Sequence, residues 1–259
     1  MKAIAAHRHH RAAPVLLMLL ALVLTGVVYA ALSPSPARAA SASSDDVEAG
    51  RALFQANCAT CHGMKAEGRD KVPSLIGVGA AAVDFQVSTG RMPMQGTGPQ
   101  ALAKPPQFSR EEISQLAAYV ASLAPGPAIP SAEEVDPAKG DPSTGMELFR
   151  TNCAMCHGAS GRGGALTEGK FAPSLAGTDP TQIYEAMLTG PSNMPVFNNA
   201  NLTPEEKRDV IAFLDEQHDG SPGGADLGAV GPVSEGVWAW VVGMGLLIGC
   251  AVWIGAKAS

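Results

Sequence analysis

Residues 50–63 read GRALFQANCATCHG, and residues 145–158 read GMELFRTNCAMCHG. The two stretches align without a gap, and the likeness runs on downstream. Pro73-Ser74-Leu75 returns as Pro173-Ser174-Leu175, Ser88-Thr89-Gly90 as Leu188-Thr189-Gly190, and Met92-Pro93 as Met194-Pro195. SREEISQLAAYV at 109–120 returns as TPEEKRDVIAFL at 203–214. The order is kept throughout, so one module is used twice. The copies differ in length at two places. The second has five extra residues between its cysteine motif and Pro-Ser-Leu, and the first has eight extra between Met-Pro and its last helix.

Each module reads as helical. Ser109 with Glu112 forms a capping-box pattern, Phe108 and Ile113 form a staple, and Ile113, Leu116, Ala117 and Val120 make an apolar stripe. The second copy uses Thr203 and Glu206 as the box, with Pro204 at the first helical position. Asp179-Pro180 starts another helix that Gly190 stops. No stretch shows sustained alternation, so the expected fold class is all-α. The expected organisation is an apolar N-terminal segment in 1–43, module one over 44–124 and a Pro-rich acidic linker over 125–143. Module two follows over 144–219, then a second linker over 220–236 and a membrane span over 237–256.

The motif C-x-x-C-H, at 58–62 and 153–157, decides the chemistry. A dithiol redox site of this spacing belongs beside a βαβ pattern, and no strand pattern is visible. Structural zinc takes four ligands, and one motif offers three. A disulfide inside C-x-x-C leaves each histidine unexplained. Attachment of a c-type haem uses all three residues: two thiols form thioethers with the vinyl groups, and the adjacent imidazole ligates the iron. Two covalently bound haems c are therefore expected, on Cys58, Cys61 and His62 and on Cys153, Cys156 and His157.

A six-coordinate iron needs a second axial ligand. The chain has 6 histidines. His7, His9 and His10 precede the first apolar run and fall on the other side of a membrane. His62 and His157 are used, which leaves His218, so two bis-histidine sites cannot be built. Methionine is the alternative. Met92 and Met194 hold the matching Met-Pro positions of the repeat. Met64 and Met155 lie too near their motifs to reach the opposite face, and Met187, at helical spacing with Ile183, reads as core. Met94 stays open beside Met92, with only the repeat favouring Met92. His218 stays open beside Met194. The expected metal ligands are His62, Met92, His157 and Met194.

Two apolar runs flank the modules. Residues 12–32 carry no charge and are long enough for a bilayer core. Lys2, Arg8 and Arg11 precede this run, which keeps the N-terminus cytoplasmic. Ala37-Arg38-Ala39 has the form of a signal-peptidase site, while the length of the run favours a retained anchor. Residues 237–256 form the second run, with Trp238, Trp240 and Trp253 near its ends and Lys257 beyond it. Both ends then point inward, and the modules lie outside the cell membrane. Between Asp45 and Glu235 all 24 acidic residues face only 13 Lys and Arg. Such a surface argues against nucleic acid as partner and suits either simple solubility or a basic docking partner.

With these residues in place, each module resembles a class I cytochrome c domain, on G-x-x-x-F before C-x-x-C-H-G, Pro-x-Leu, Met-Pro and an aromatic in the last helix. The resemblance implies that Gly50 and Phe54 meet Tyr119, and that Gly145 and Phe149 meet Phe213. It also implies that Pro73 and Pro173 carbonyls receive the second N–H of His62 and His157. The whole chain, with GPVSEGVWAW at 231–240, resembles the di-haem cytochrome c subunits of actinobacterial quinol–cytochrome c reductases. That family implies cytochrome b and a Rieske iron–sulfur protein as partners and electron delivery to a cytochrome aa3-type oxidase. The competing readings are a membrane-anchored di-haem donor of another complex, such as a cytochrome oxidase subunit, and a non-haem thiol or zinc module.

Overall fold

The computed structural model describes residues 13–32, 43–96, 98–219 and 232–257. The N-terminal basic residues, Ala37-Arg38-Ala39 and most of the second linker lie outside the described residues. Up to Asp45 the chain forms one unit, whose described helix is α1 (Ala13–Leu32). Leu16, Leu20 and Leu24 are exposed along it.

From Asp46 onward the chain carries both modules. Module one contains α2 (Ser44–Asn57), α3 (Ala59–His62), α4 (Gly79–Ser88) and α5 (Arg110–Leu123). After α6 (Ala132–Val135), module two repeats the series as α7 (Pro142–Asn152), α8 (Ala154–His157), α9 (Pro180–Thr189) and α10 (Pro204–Asp219).

In each module the first helix crosses the last at a glycine. A Cβ on Gly50 would overlap the Gln115 carbonyl oxygen, and one on Gly145 would overlap that of Asp209. The bare glycine lets backbone meet backbone. One turn along, Phe54 and Tyr119 stack with ring centroids 5.3 Å apart and planes tilted by 48°. Phe149 and Phe213 stand at 5.4 Å and 47°. Tilted, offset rings at this separation are the favoured aromatic geometry. Around these crossings sit two separate cores. Phe54, Ile113, Leu116 and Val120 centre the first, and Phe149, Tyr184, Val210 and Ile211 the second.

The caps form as the sequence predicts. The Glu112 amide donates to Ser109 Oγ at 3.3 Å, and the Ser109 amide donates to Glu112 Oε2 at 2.8 Å. Thr203 and Glu206 make the same exchange at 3.2 and 2.7 Å. Asp179 Oδ1 accepts from the Thr181 amide, and Gly190 closes α9 in the left-handed region.

Two local features go beyond the sequence reading. Among the described residues the fold is all-α except for an isolated bridge between Arg69 and Val72 and a hairpin, in which β1 (Gly164–Ala165) pairs antiparallel with β2 (Phe171–Ala172). Strands of two residues are too short to show alternation. It lies in the stretch that holds the five extra residues of module two. The stretch 125–143 also carries structure. Ser131 and Glu134 cap α6, and a 3₁₀ turn (Pro137–Lys139) follows it; both pack on α10. Its prolines and acids therefore serve as caps and turns rather than as a slack tether.

The two modules meet through their equivalent helices, α4 against α9. Gln182 Nε2 donates to Ser88 Oγ at 3.4 Å across this seam. Arg110 pairs with Asp84 at 3.0 Å, and the fully buried Glu185 lies beside them. The last helix is α11 (Pro232–Lys257), of which Gly236–Lys257, 22 residues, is long and apolar enough to cross a membrane. Trp238, Trp240 and Trp253 are exposed on it, and the Lys257 ammonium stands 5.1 Å from the Trp253 ring centre.

Candidate haem-attachment sites

In both modules the cysteine motif bridges two helices. Cys58 ends α2 and opens the single turn of α3, and Cys153 does the same for α7 and α8. The Cys58 amide donates to Phe54 O and that of Cys153 to Phe149 O, both at 2.8 Å. The motif is thereby tied to the aromatic that holds the helix crossing. The residue after each histidine must turn sharply out of the helix. Gly63 has φ +83° and Gly158 has φ +74°, a region open to glycine and strained for other residues. This is why a glycine closes both motifs.

The histidines are oriented in the same way. His62 Nδ1 donates to Pro73 O at 3.0 Å, and His157 Nδ1 donates to Pro173 O at 3.0 Å. With Nδ1 engaged, Nε2 is the nitrogen left to ligate a metal. Burial lowers the pKa of His157, partly offset by its bond to Pro173, and so favours the neutral ring that a metal requires. Burial, reinforced by the neighbouring cysteine, pushes the Cys58 and Cys153 thiols up to about 11. The attacking thiol of a dithiol redox site has a lowered pKa, the opposite of the direction at Cys58 and Cys153. Among the described residues no group of three or more His, Cys, Asp and Glu is arranged to hold a metal ion.

The methionines sort by position. Met92 and Cys58 both pack against the first core, and Met194 and Cys153 both pack against the second. Met94 is 44% exposed, and Met64 and Met155 also face outward. Met187 is buried core. His218 lines a different, smaller pocket with Leu175 and Gly177.

In the second module Cys153, Cys156, His157 and Met194 line one cavity of about 450 Å³. Its wall is largely apolar, with Phe149, Leu175, Ile183 and Leu214 among the lining residues. Two thiols, an oriented imidazole and a thioether around an apolar cavity of cofactor size suit a haem.

The sequence reading did not find the part of this cavity built by module one. Phe85, Arg91 and Gln100 line it as well. Gln100 docks on the hairpin, its Nε2 donating to Phe171 O at 3.2 Å and its Oε1 accepting from the Phe171 amide at 2.7 Å. Gln100 lies among the eight extra residues of module one, so the two length differences were the signal. Glu185 was missed too. The repeat sets it opposite the apolar Phe85, and an acid at a core position marks it.

A family profile described as "Cytochrome c" matches residues 47–124, and one described as "Cytochrome C oxidase, cbb3-type, subunit III" matches 140–214. Relatives named "Cytochrome bc1 complex cytochrome c subunit" match nearly the whole chain. That of Corynebacterium efficiens is 44% identical over 254 residues, covering 90% of this chain and 85% of its own. That of Mycobacterium tuberculosis is 45% identical over 251 residues, covering 93% and 90%. A "Cbb3-type cytochrome c oxidase subunit FixP" from Sinorhizobium medicae is 32% identical, but over only 50% of this chain and 44% of its own. Taken with the duplicated site, this full-length likeness means that the chain belongs to the family of cytochrome bc1 complex cytochrome c subunits, with one covalently bound haem c on each of its two modules.

Proposed function

We infer that the chain relays single electrons from a Rieske iron–sulfur subunit, in a complex with cytochrome b, to a cytochrome aa3-type oxidase. Cys58, Cys61, His62 and Met92 hold the first haem, and Cys153, Cys156, His157 and Met194 the second. When bound, each haem supplies one-electron chemistry between ferric and ferrous iron. The chain's own residues attach it, orient it and exclude water, and they make or break no bond of a substrate. The thioethers fix each haem so that it cannot diffuse away. Pro73 and Pro173 keep the histidine rings from rotating, which holds the geometry in both oxidation states. The methionine ligands raise the reduction potential toward that of a terminal acceptor. α11 anchors the chain in the cell membrane, with both modules on the extracytoplasmic face.

The observation that carries this reading is the repetition of one site. Two copies hold the same Cys, Cys, His, Pro and Met set, each folded against its own glycine–aromatic helix crossing. Two tethered haems suit a relay between fixed partners. A role in another oxidase complex is less favoured, since the FixP likeness covers only half the chain.

Purification of the affinity-tagged chain in a mild detergent tests the reading. Cytochrome b, the Rieske protein and an oxidase with a-type haem absorption should copurify, and pyridine haemochrome analysis should give two haems c per chain. Recovery without cytochrome b and the Rieske protein would reject the assignment. An oxidase that carries only b- and c-type haems would reject the aa3 partner alone.

A further inference from the structure

The second haem cavity holds an unbalanced charge. Arg91 and Lys170 line it, and no Asp or Glu does. Lys170 is already engaged, with Asn193 Oδ1 at 3.1 Å and Glu168 at 3.3 Å. Arg91 is half-buried and enters none of the ion pairs among the described residues. Its guanidinium lies over the Phe85 ring, 4.8 Å from the centre, which holds the head group in place without neutralising it. Partly burying a cation without an anion is unfavourable, so a cavity of this kind favours an anionic occupant. The planar fork of arginine matches a carboxylate better than any other side chain does.

A haem carries two carboxylates, its propionates, at one edge. We propose that the second haem is held by both modules, with Arg91 of the first pairing with one propionate across the seam. The proposal rests on the two-haem reading above. It gives the loop after α4 a double task. Met92 serves the first haem, while the side chain one residue earlier is committed to the second. Gln100, clasped to Phe171, keeps the covering loop seated. The charge of Arg91 stabilises the added electron on the second haem, so that haem's potential includes a contribution from a module to which it is not attached.

The test is redox titration of the full detergent-purified chain. Met194→Ala and Met92→Ala identify the two titrating components by displacing one each. Arg91→Gln should lower the component that Met194→Ala displaces, with two haems still bound, while Arg91→Lys should keep most of its potential. The proposal is overturned if Arg91→Gln leaves that component in place, moves the Met92 component as much or more, or is matched by Arg91→Lys. Arg91→Lys, which keeps the charge, gives a second measurement. The propionate bending band in the resonance Raman spectrum should shift, and an unchanged band overturns the pairing. Fewer than two haems in the unsubstituted chain would reject the two-haem reading itself, and the proposal with it.

Discussion

Replacing Glu185 by glutamine should stabilise the protein, and more so as pH rises. Glu185 is fully buried at the α4–α9 seam, where no N–H or hydroxyl donor meets its carboxylate and the group nearest in reach is the Asp84 carboxylate. Desolvation pushes its pKa from 4.5 up to about 9, and the Asp84 and Asp179 carboxylates add to the rise while Arg110 opposes it. The folded protein therefore keeps a proton on Glu185 at pH 7 that the unfolded chain has released. Proton binding is greater in the folded state between 4.5 and about 9, so stability falls as pH rises through that window and levels off above it. At pH 7 the cost is about 3 kcal/mol at roughly 1.4 kcal/mol per pH unit. Glutamine has the same shape, needs no proton and can donate to Asp84. Urea unfolding of the full chain in detergent, followed by the Soret signal, should show Glu185→Gln gaining about 3 kcal/mol over wild type between pH 5.5 and 8. Parallel pH dependences for the two proteins would refute the reasoning.

Two further outcomes follow from the sites. Gly145→Ala places a methyl group on the Asp209 carbonyl and should cost about 3 kcal/mol or more by forcing α7 away from α10, read as a lower urea midpoint. A midpoint within error of wild type would show that the crossing does not depend on bare backbone. Met194→Ala should lower the potential of one haem and remove its methionine–iron absorption band, while the other haem's band stays. Retention of both bands would reassign the ligand.

Much of this arrangement was legible because duplication prints every constraint twice. Met92 and Met194 stood at matching positions that ligand chemistry singled out, while the resemblance to cytochrome c domains supplied the roles of Gly50 and Gly145 and of Pro73 and Pro173. What the pattern hid was whatever the two copies do not share. Arg91, Gln100 and Glu185 serve the seam between modules, and a seam has no period. The partner of Gln100 lies 71 residues away, and the Ser88–Gln182 bond at the same seam joins residues 94 apart. The hairpin was invisible for a related reason, since its strands hold two residues each. The turns inside 125–143 were hidden because capping residues and linker residues draw on one vocabulary, and only packing against α10 tells them apart.

The bond between Gln100 and Phe171 has a consequence for the history of the chain. Each lies where its own copy is the longer one, and each surplus closes on the other. The copies have become left and right hands. A permuted chain with the order of the modules reversed would keep every cysteine, histidine and methionine of the two sites, and both cores. Its clasp would then depend on a new connection able to bring those two loops together again.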